Sequence, residues 1–323
     1  MKTELKEIRV IGNNLSLNTN LVTGGILPEK IAELARTVTI QKDTVVDGPL
    51  YAAKLTVENG DVDVKGATFA QNEIFVNSSA EGVITFRKAV ASAKGIVTRA
   101  LKASVNFYSD INAKDITLVN SFVAGSIYAD DVILENCVVI GGVFATNSID
   151  MKNCIVGTFN APSVSAAGNM QLLLPTAFSQ EKMNVAPGTV FYNLSLADLG
   201  GLFKGNPQAQ DSGKIRMNID ADDVKTTLSD ENVSKSLHTY TVVGKVLAAD
   251  MIDTDKFQNH FLLTAAALGP QLLRVYDLGP GADGKTVPLS VENIRDFFFK
   301  VLNGQVEVQE ISGSFSMGEI VRE

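Results

Sequence analysis

Tryptophan, histidine and cysteine, three residue types that often carry chemistry, are almost missing from this chain of 323 residues. Tryptophan does not occur, histidine occurs at His238 and His260 alone, and there are two cysteines. Histidine is the usual general base and the commonest zinc ligand, so two scattered histidines favour neither a catalytic centre nor a metal site. Two cysteines inside β-like segments do not form a disulfide framework. We therefore expect no catalytic residues, no metal and no cofactor.

Clustered positive charge and long apolar runs are also missing. The 28 basic and 36 acidic residues give a net charge of −8, which argues against a nucleic-acid-binding surface. The longest apolar stretches, such as FLLTAAALG at 261–269, fall far below the roughly 20 residues that span a bilayer. Residues 1–36 show no basic run followed by an apolar signal-peptide core. Because 45% of the chain is apolar, we expect a packed, soluble, cytoplasmic protein without a transmembrane segment.

What the sequence does contain is an internal repeat with units of 15–19 residues. Three units between residues 116 and 165 align column by column, and the upstream segments TVVDGPLYAAKL and GATFAQNEI extend the pattern to residue 37, for seven or eight units. The aligned columns are Asn120, Asn136 and Asn153; Ser121, Cys137 and Cys154; Val123, Val139 and Val156; Gly125, Gly141 and Gly157; Ile127, Val143 and Phe159; and Ala129, Ala145 and Ala161.

This spacing predicts a parallel β-helix over residues 37–165. Units of this length are too short for a pair of helices or for a strand with a crossover helix, but they suit short strands joined by tight bends. Such coils stack at about 4.8 Å and pair in parallel. The alternation predicts Val, Ile, Phe and Ala inside. Asparagine and glycine are expected at the corners, because both tolerate left-handed backbone, with the asparagine amides bonded to one another.

The repeat resembles the bactofilin family. The resemblance is carried by VAGSIYADDVILENCVVIGGVFATNSIDMKNCIVGTFNA and VVDGPLYAAKLTVENGDVDVKGATFA, in which V-x-G-x-[IV]-x-A recurs every 16–18 residues. It covers about 130 residues of the chain. Bactofilins are cytoskeletal proteins whose β-helical domains stack end to end into filaments without nucleotide. The resemblance implies a self-associating filament or scaffold subunit.

The segments around the repeat predict further elements. Residues 27–36, LPEKIAELAR, read as a short helix that caps the open end of the solenoid, with Pro28 in its first turn. Residues 166–212 read as an irregular β connection. Residues 213–323 read as a small α+β domain. Its predicted elements are strands around KIRMNID, LHTYTVVGKVLAA, LLRVYDL and QVEVQEI, and helices over 253–269 and from the N-cap Ser290 to Gly304.

Two motifs in this region are interpreted as loops. GPGADGKT, residues 279–286, matches the letters of the phosphate-binding loop G-x-x-x-x-G-K-T. A helix must begin at the Gly-Lys of such a loop, whereas Pro288 and Ser290 place the next helix later. The acidic segment 218–232 lacks the glycine and glutamate spacing of a calcium loop.

Two classes of solenoid enzyme are alternatives that the repeat does not favour. Acyl transferases with hexapeptide coils keep a strict six-residue period and commonly a catalytic histidine, and the repeat has neither. Pectin-type lyases and glycosidases carry acids and bases in a groove on the coils. The outward charged residues Asp110, Lys114, Asp130 and Asp131 fit such a groove, but charges also recur wherever a coil turns in water.

Two functional hypotheses follow. The first is a non-enzymatic scaffold that self-associates through its β-helix, with residues 213–323 recruiting a protein partner or limiting assembly. The second is a carbohydrate-binding or carbohydrate-cleaving solenoid. Both use one outward aromatic column, as an assembly face or as a ligand platform. Its members are Tyr51, Phe69, Tyr128 and Phe144.

Overall fold

The computed structural model describes most of the first 190 residues and four shorter segments after them. The described residues are 9–100, 102–173, 177–187, 190–192, 239–243, 260–264, 272–277, 290–303 and 305. The chain divides into two compact units. They are Met1–Met170 with Phe178–Ala186, and Gln171–Ala177 with Pro187–Glu323.

The first unit is almost entirely β-strand, as the alternating repeat predicts. Its strands have two to nine residues, except for β17, which has 35. The strands are β1 Arg9–Ile11, β2 Asn14–Leu17, β3 Leu21–Thr23, β4 Thr37–Ile40, β5 Thr44–Val46, β6 Leu50–Val57, β7 Val62–Val64, β8 Thr68–Val76, β9 Gly82–Phe86, β10 Val90–Ser92, β11 Gly95–Thr98, β12 Ala103–Phe107, β13 Ile111–Asn112, β14 Asp115–Val119, β15 Ser121–Val123, β16 Ile127–Glu135, β17 Val138–Leu172 and β18 Ala177–Val185.

These strands form a parallel β-solenoid of about seven turns, which confirms the predicted architecture. On one face β2, β4, β6, β8, β11, β14, β16 and β17 pair in parallel, each with the equivalent strand of the next turn. The inward position on this face passes through eight rungs, which are separated by seven turns of 16 to 23 residues. These rungs are Leu15, Val38, Leu55, Ile74, Ile96, Ile116, Val132 and Ile149.

The interior of the solenoid is a set of apolar columns. Val38, Leu55 and Ile74 have no exposed surface, and the predicted inward residues Ile127 and Val143 are equally buried. Burying an aliphatic side chain of this kind stabilises the fold by about 1.5–3 kcal/mol. A second face holds an internal aromatic contact, in which Phe86 and Phe107 stack at 5.3 Å with their planes 8° apart. Continuous burial along each column explains why the repeat keeps an apolar residue at these positions.

The asparagine column marks left-handed corners, as predicted. Asn120, Asn136 and Asn153 have φ of 50°, 52° and 51°. Their side chains do not form the expected ladder of amide-to-amide hydrogen bonds. Asn120 Nδ2 donates to the Ala100 carbonyl at 3.4 Å, and Asn153 Oδ1 accepts from the Asn169 backbone N–H at 3.0 Å. Two of the three corner amides, those of Asn120 and Asn153, thus bond backbone groups of neighbouring turns.

The glycine column has a different cause from the one predicted. Gly125, Gly141 and Gly157 do not belong to the glycines with positive φ, so left-handed backbone does not explain them. A Cβ on Gly141 would lie 2.5 Å from the Gly125 carbonyl oxygen, and one on Gly125 would lie 2.5 Å from the Asp110 nitrogen. Successive turns approach too closely at this bend for any side chain.

The serine and cysteine column is a buried ladder of short donors next to the asparagine corner. Ser121 Oγ donates to the Val119 carbonyl at 2.9 Å, while Cys137 Sγ and Cys154 Sγ donate to the carbonyls two residues earlier at 3.2 and 3.3 Å. The two thiols are free and fully buried. Burial raises the pKa of Cys137 well above its usual value and that of Cys154 to about 12. They are structural thiols, which the repeat predicted.

The predicted N-terminal cap helix is not confirmed. Ile31–Ala35 forms a 3₁₀ helix without buried residues, and Ile31 is 88% exposed. The parallel strands begin upstream of residue 37, because β2 already pairs in parallel with β4. The 3₁₀ helix is therefore an insertion between β3 and β4 and not a cap at the end of the solenoid. The outer edge of β2 is instead occupied by β1, which pairs with it in antiparallel orientation.

The second unit contains β19 Val190–Tyr192 and an antiparallel sheet of β20 Thr239–Val243, β22 Leu272–Asp277 and β21 His260–Thr264, in that order. The strands predicted around Thr239 and Leu272 are confirmed. The helix predicted over 253–269 is wrong at 260–264, because FLLT suits either a helical stripe or a strand and pairing with β22 makes it a strand.

The helix predicted from Ser290 is confirmed. It is α1, Val291–Leu302, and the Ser290 hydroxyl accepts from the Asn293 backbone N–H at 3.1 Å as an N-cap. Phe297 and Phe298 are its buried residues. Several predictions fall outside the described residues. They are those for Gly304, the motif at 279–286, the acidic segment 218–232, His238 and the strand at 214–220. The strand predicted at 305–311 lies outside them except for residue 305.

Candidate functional site

The four predicted aromatic residues do share one outward column of the solenoid. The strand register pairs Tyr51 with Phe69 and continues through two small residues to Tyr128, which pairs with Phe144. The two small residues are Ala91 and Asn112. The column is therefore divided into two aromatic pairs with two turns between them.

Each pair is stacked. The Tyr51 and Phe69 rings lie 5.7 Å apart with an angle of 29°, and the Tyr128 and Phe144 rings lie 5.4 Å apart with an angle of 19°. On the side away from its stacking partner, each ring has the next residue of the column as its neighbour. For Tyr128 this next residue is Asn112, whose side chain is shorter than a ring.

The first pair belongs to an uncharged apolar strip. Ile26 pairs with Leu50, so Leu27 precedes Tyr51 in the outward column. Leu27 is 51% exposed and Phe69 is 39% exposed, and Ala91 follows Phe69. We call Leu27, Tyr51, Phe69 and Ala91 the apolar strip. Exposed apolar side chains in one continuous row are typical of a surface that contacts another molecule.

The second pair is one rim of a surface groove of about 540 Å³. The groove runs along the solenoid axis over four turns, which is about 14 Å at the usual strand spacing. Three successive columns line it, and we call it the axial groove. Its aromatic rim is Asn112, Tyr128, Phe144 and Asn160, its floor is Ser92, Ala113, Ala129 and Ala145, and its polar rim is Ala93, Lys114, Asp130 and Thr146.

The floor explains the alanine column of the repeat. All three alanines of the column were expected inside the solenoid. Ala161 has no exposed surface, whereas Ala129 and Ala145 are half-buried and lie at the bend where the groove opens. The register shifts at this bend, because one extra residue separates Ala145 from Ser148 compared with Ala129 and Asp131. A bulge of this kind turns the strand and widens the bend. A small side chain at each turn leaves the space that a larger one would fill.

The charged residues of the bend are held by hydrogen bonds. Asp130 Oδ1 accepts from the Thr146 hydroxyl at 2.7 Å. Asp131 accepts from the Ser148 hydroxyl at 2.5 Å and from Asn147 Nδ2 at 3.2 Å. These bonds, led by the one from Ser148, lower the pKa of Asp131, and the Lys114 charge acts in the same direction. Both carboxylates accept hydrogen bonds that brace successive turns.

The four outward charges considered for a lyase-like groove do not come together as one acid–base group. Lys114 and Asp130 lie on the polar rim of the axial groove, whereas Asp110 and Asp131 are not among its lining residues. Asp110 Oδ1 accepts from the Ser126 backbone N–H at 2.7 Å, which braces a bend. No group of three or more His, Cys, Asp or Glu side chains suited to a metal ion occurs within the described part of the chain.

Sequence reasoning missed the axial groove itself. Asn112 and Asn160 continue the aromatic column at either end, yet neither was recognised as part of a site. Their positions were available from the column alignment, since both follow an inward apolar residue by one position. The alignment gives no information on the depth of the groove between the two rims.

Comparison of the chain with protein-family models, with curated proteins and with solved structures found no match. The resemblance to bactofilins therefore stays a prediction from the repeat. In the described segments, no helix has the length and apolar character needed to cross a membrane.

Proposed function

We propose that this protein is a non-enzymatic scaffold, a cytoskeletal type of subunit that self-associates through its β-helix. The observation that carries the proposal is the apolar strip on the side of the solenoid. Leu27 is 51% and Phe69 is 39% exposed there, without a charged residue in the column, and Tyr51, which lies between them in the column, stacks on Phe69.

Charge favours the strip as the point of contact between copies. The chain carries a net charge of −8, so two copies repel each other over most approaches. Repulsion is weakest where uncharged surfaces meet. A two-fold arrangement places the Tyr51–Phe69 pair of one copy against the same pair of the other, which is the usual geometry of a homodimer contact.

The apolar strip is small, which limits the expected strength of association between copies. A stable interface buries about 800 Å² on each partner, more than four side chains supply. Contact through the strip alone is weak and concentration-dependent. Higher-order assembly needs a second contact, and the proposal assigns to residues 213–323 the recruitment of a protein partner or the control of assembly.

Sedimentation velocity of the full chain over a wide concentration range, combined with electron microscopy, tests the proposal. We expect association that increases with concentration and is reduced in the double variant Tyr51→Ser, Phe69→Ser. Ile133→Ser is the matched control, because Ile133 is 50% exposed on another face of the solenoid.

Ionic strength gives an independent readout. Added salt screens the repulsion between acidic copies, so association through an uncharged strip increases with salt. A chain that stays monomeric at high concentration and high salt contradicts the proposal. Equal loss of association in the Ile133→Ser control contradicts the assignment to the strip.

A further inference from the structure

We propose that the axial groove is a binding site for a neutral oligosaccharide. This inference is independent of self-association, because the groove and the apolar strip are different parts of the solenoid surface. Its basis is the combination of a stacked aromatic pair, polar side chains on both rims and a continuous length of about 14 Å along the axis.

The aromatic rim supplies the apolar contact. Tyr128 is 42% exposed, and Phe144 stacks on it. On the side away from Phe144, the neighbour of Tyr128 in the column is Asn112, which is exposed and shorter than a ring. A pyranose ring presents a flat C–H surface, and an aromatic face attracts such a surface with little loss of conformational entropy. The space above Asn112 is where the sugar ring contacts Tyr128.

The polar groups around the rings match hydroxyl groups. Asn112 and Asn160 stand at the two ends of the aromatic rim, and each amide both donates and accepts hydrogen bonds. Asp130 accepts from Thr146 with one carboxylate oxygen, and Lys114 lies one turn earlier on the same rim. Sugar hydroxyls need donors and acceptors within one site, which these four kinds of side chain provide.

Charge selects a neutral ligand over an anionic one. The lining contains one cation, Lys114, and one anion, Asp130, so its formal charge is zero. Binding of a polyanion such as a nucleic acid or an acidic glycan needs clustered positive charge, and the chain as a whole is acidic. The groove also suits an extended ligand, because its lining continues over four turns of the solenoid.

Isothermal titration of the full chain with four hexasaccharides tests the inference. The probes are cellohexaose, N-acetylchitohexaose, maltohexaose and the anionic oligogalacturonate of the same length. We expect at least one neutral probe to bind and to be preferred over the anionic probe. Tyr128→Ser should weaken that binding at least about fivefold, since it removes the ring contact. Asn112→Ala should weaken it about threefold, and this exposed position keeps the test valid if Tyr128→Ser unfolds.

The double variant Tyr51→Ser, Phe69→Ser is the matched control, because it removes the other stacked pair of the same column. Its affinity for the neutral probe should stay within about twofold of the parent chain. Failure of all three neutral probes to bind at millimolar concentration overturns the inference. Preference for the anionic probe, or binding unaffected by both groove variants, overturns it as well. Loss of self-association in the control with sugar binding retained separates this site from the assembly surface.

Discussion

The Phe144 ring lies directly over Gly142, two residues earlier on the same strand. A Cβ built on Gly142 would collide with the far end of that ring, at Cε2 and Cζ. The Gly142 backbone N–H meanwhile donates to the Ser126 hydroxyl at 3.1 Å, which holds this part of the strand in place. The missing side chain at position 142 is thus what lets the Phe144 ring lie back against the strand and stack on Tyr128.

Gly142→Ala is expected to displace the Phe144 ring while leaving the solenoid folded. The clash is with the tip of a side chain that can rotate, so the change in the free energy of unfolding should stay within about 1 kcal/mol. The stacking of Phe144 on Tyr128 should be lost, as seen by ring-to-ring nuclear Overhauser effects. Gly24→Ala is the control, because a Cβ there meets no atom within 4 Å. An unchanged Phe144–Tyr128 contact in Gly142→Ala would show that the glycine does not position the ring.

The left-handed corner at Asn136 predicts opposite effects for two substitutions. Asn136 has φ of 52°, a conformation that glycine adopts freely and that β-branched residues strongly disfavour. Asn136→Gly should change the free energy of unfolding by a few tenths of a kcal/mol, whereas Asn136→Val should cost about 1–3 kcal/mol. Urea denaturation of both variants measures the difference. Equal stability of the two variants would show that the left-handed backbone at Asn136 does not restrict the residue type.

Thr68 and Thr44 are two buried threonines with different hydrogen bonding. Thr68 is 2% exposed, and its Oγ1 has no hydrogen-bond partner among the described residues. Thr44 is fully buried, and its Oγ1 donates to the Lys42 carbonyl at 2.8 Å. Thr68→Val should therefore raise the free energy of unfolding by about 1 kcal/mol, and Thr44→Val should lower it by about the same amount.

The two threonine variants serve as controls for each other, since the change in shape and in composition is identical. Thermal and urea midpoints measured side by side give the sign of each effect. A stabilising Thr44→Val together with a destabilising Thr68→Val would contradict the hydrogen-bond assignment.

The buried thiol of Cys154 predicts a loss of stability in alkaline solution. Its pKa is raised by burial from about 9 to about 12, so the folded state keeps the proton more tightly than the unfolded state. The stabilisation is complete below pH 9 and declines as the pH rises from 9 toward 12, by at most about 1.4 kcal/mol per pH unit. Urea midpoints between pH 8 and pH 11 measure this slope.

Cys154→Ser is the matched variant for the alkaline slope. Serine already occupies the same column at Ser121, where it makes the equivalent bond to the carbonyl two residues earlier. The variant should unfold with a shallower slope above pH 9. The native chain should also leave both thiols unreactive toward a disulfide reagent until it unfolds, because neither is exposed. Rapid modification of the folded chain would contradict the burial of the ladder.

The residue pattern by itself determined the solenoid. Seven or eight units with apolar residues in the same columns predicted parallel coils, and the strands of the first unit pair in that way. The asparagine corners and the Ser290 cap were predictable for the same reason, since each depends on the conformational preference of one residue and its nearest neighbours along the chain. Residues 260–264 show the limit of local pattern, because a short apolar run pairs with whatever strand edge the tertiary structure presents.

Only the tertiary structure decided the role of each residue column. Gly141 is required by the carbonyl of the preceding turn, a contact that no single unit reveals. The aromatic column became an apolar strip at Tyr51 and one rim of a groove at Tyr128, because Ala91 and Asn112 lie between the pairs and because Lys114, Asp130 and Thr146 line a polar rim beside the second pair. The sequence alone determined the coil, since its period follows from strand geometry. The surface depends on distances between turns, which exist only once the turns are stacked.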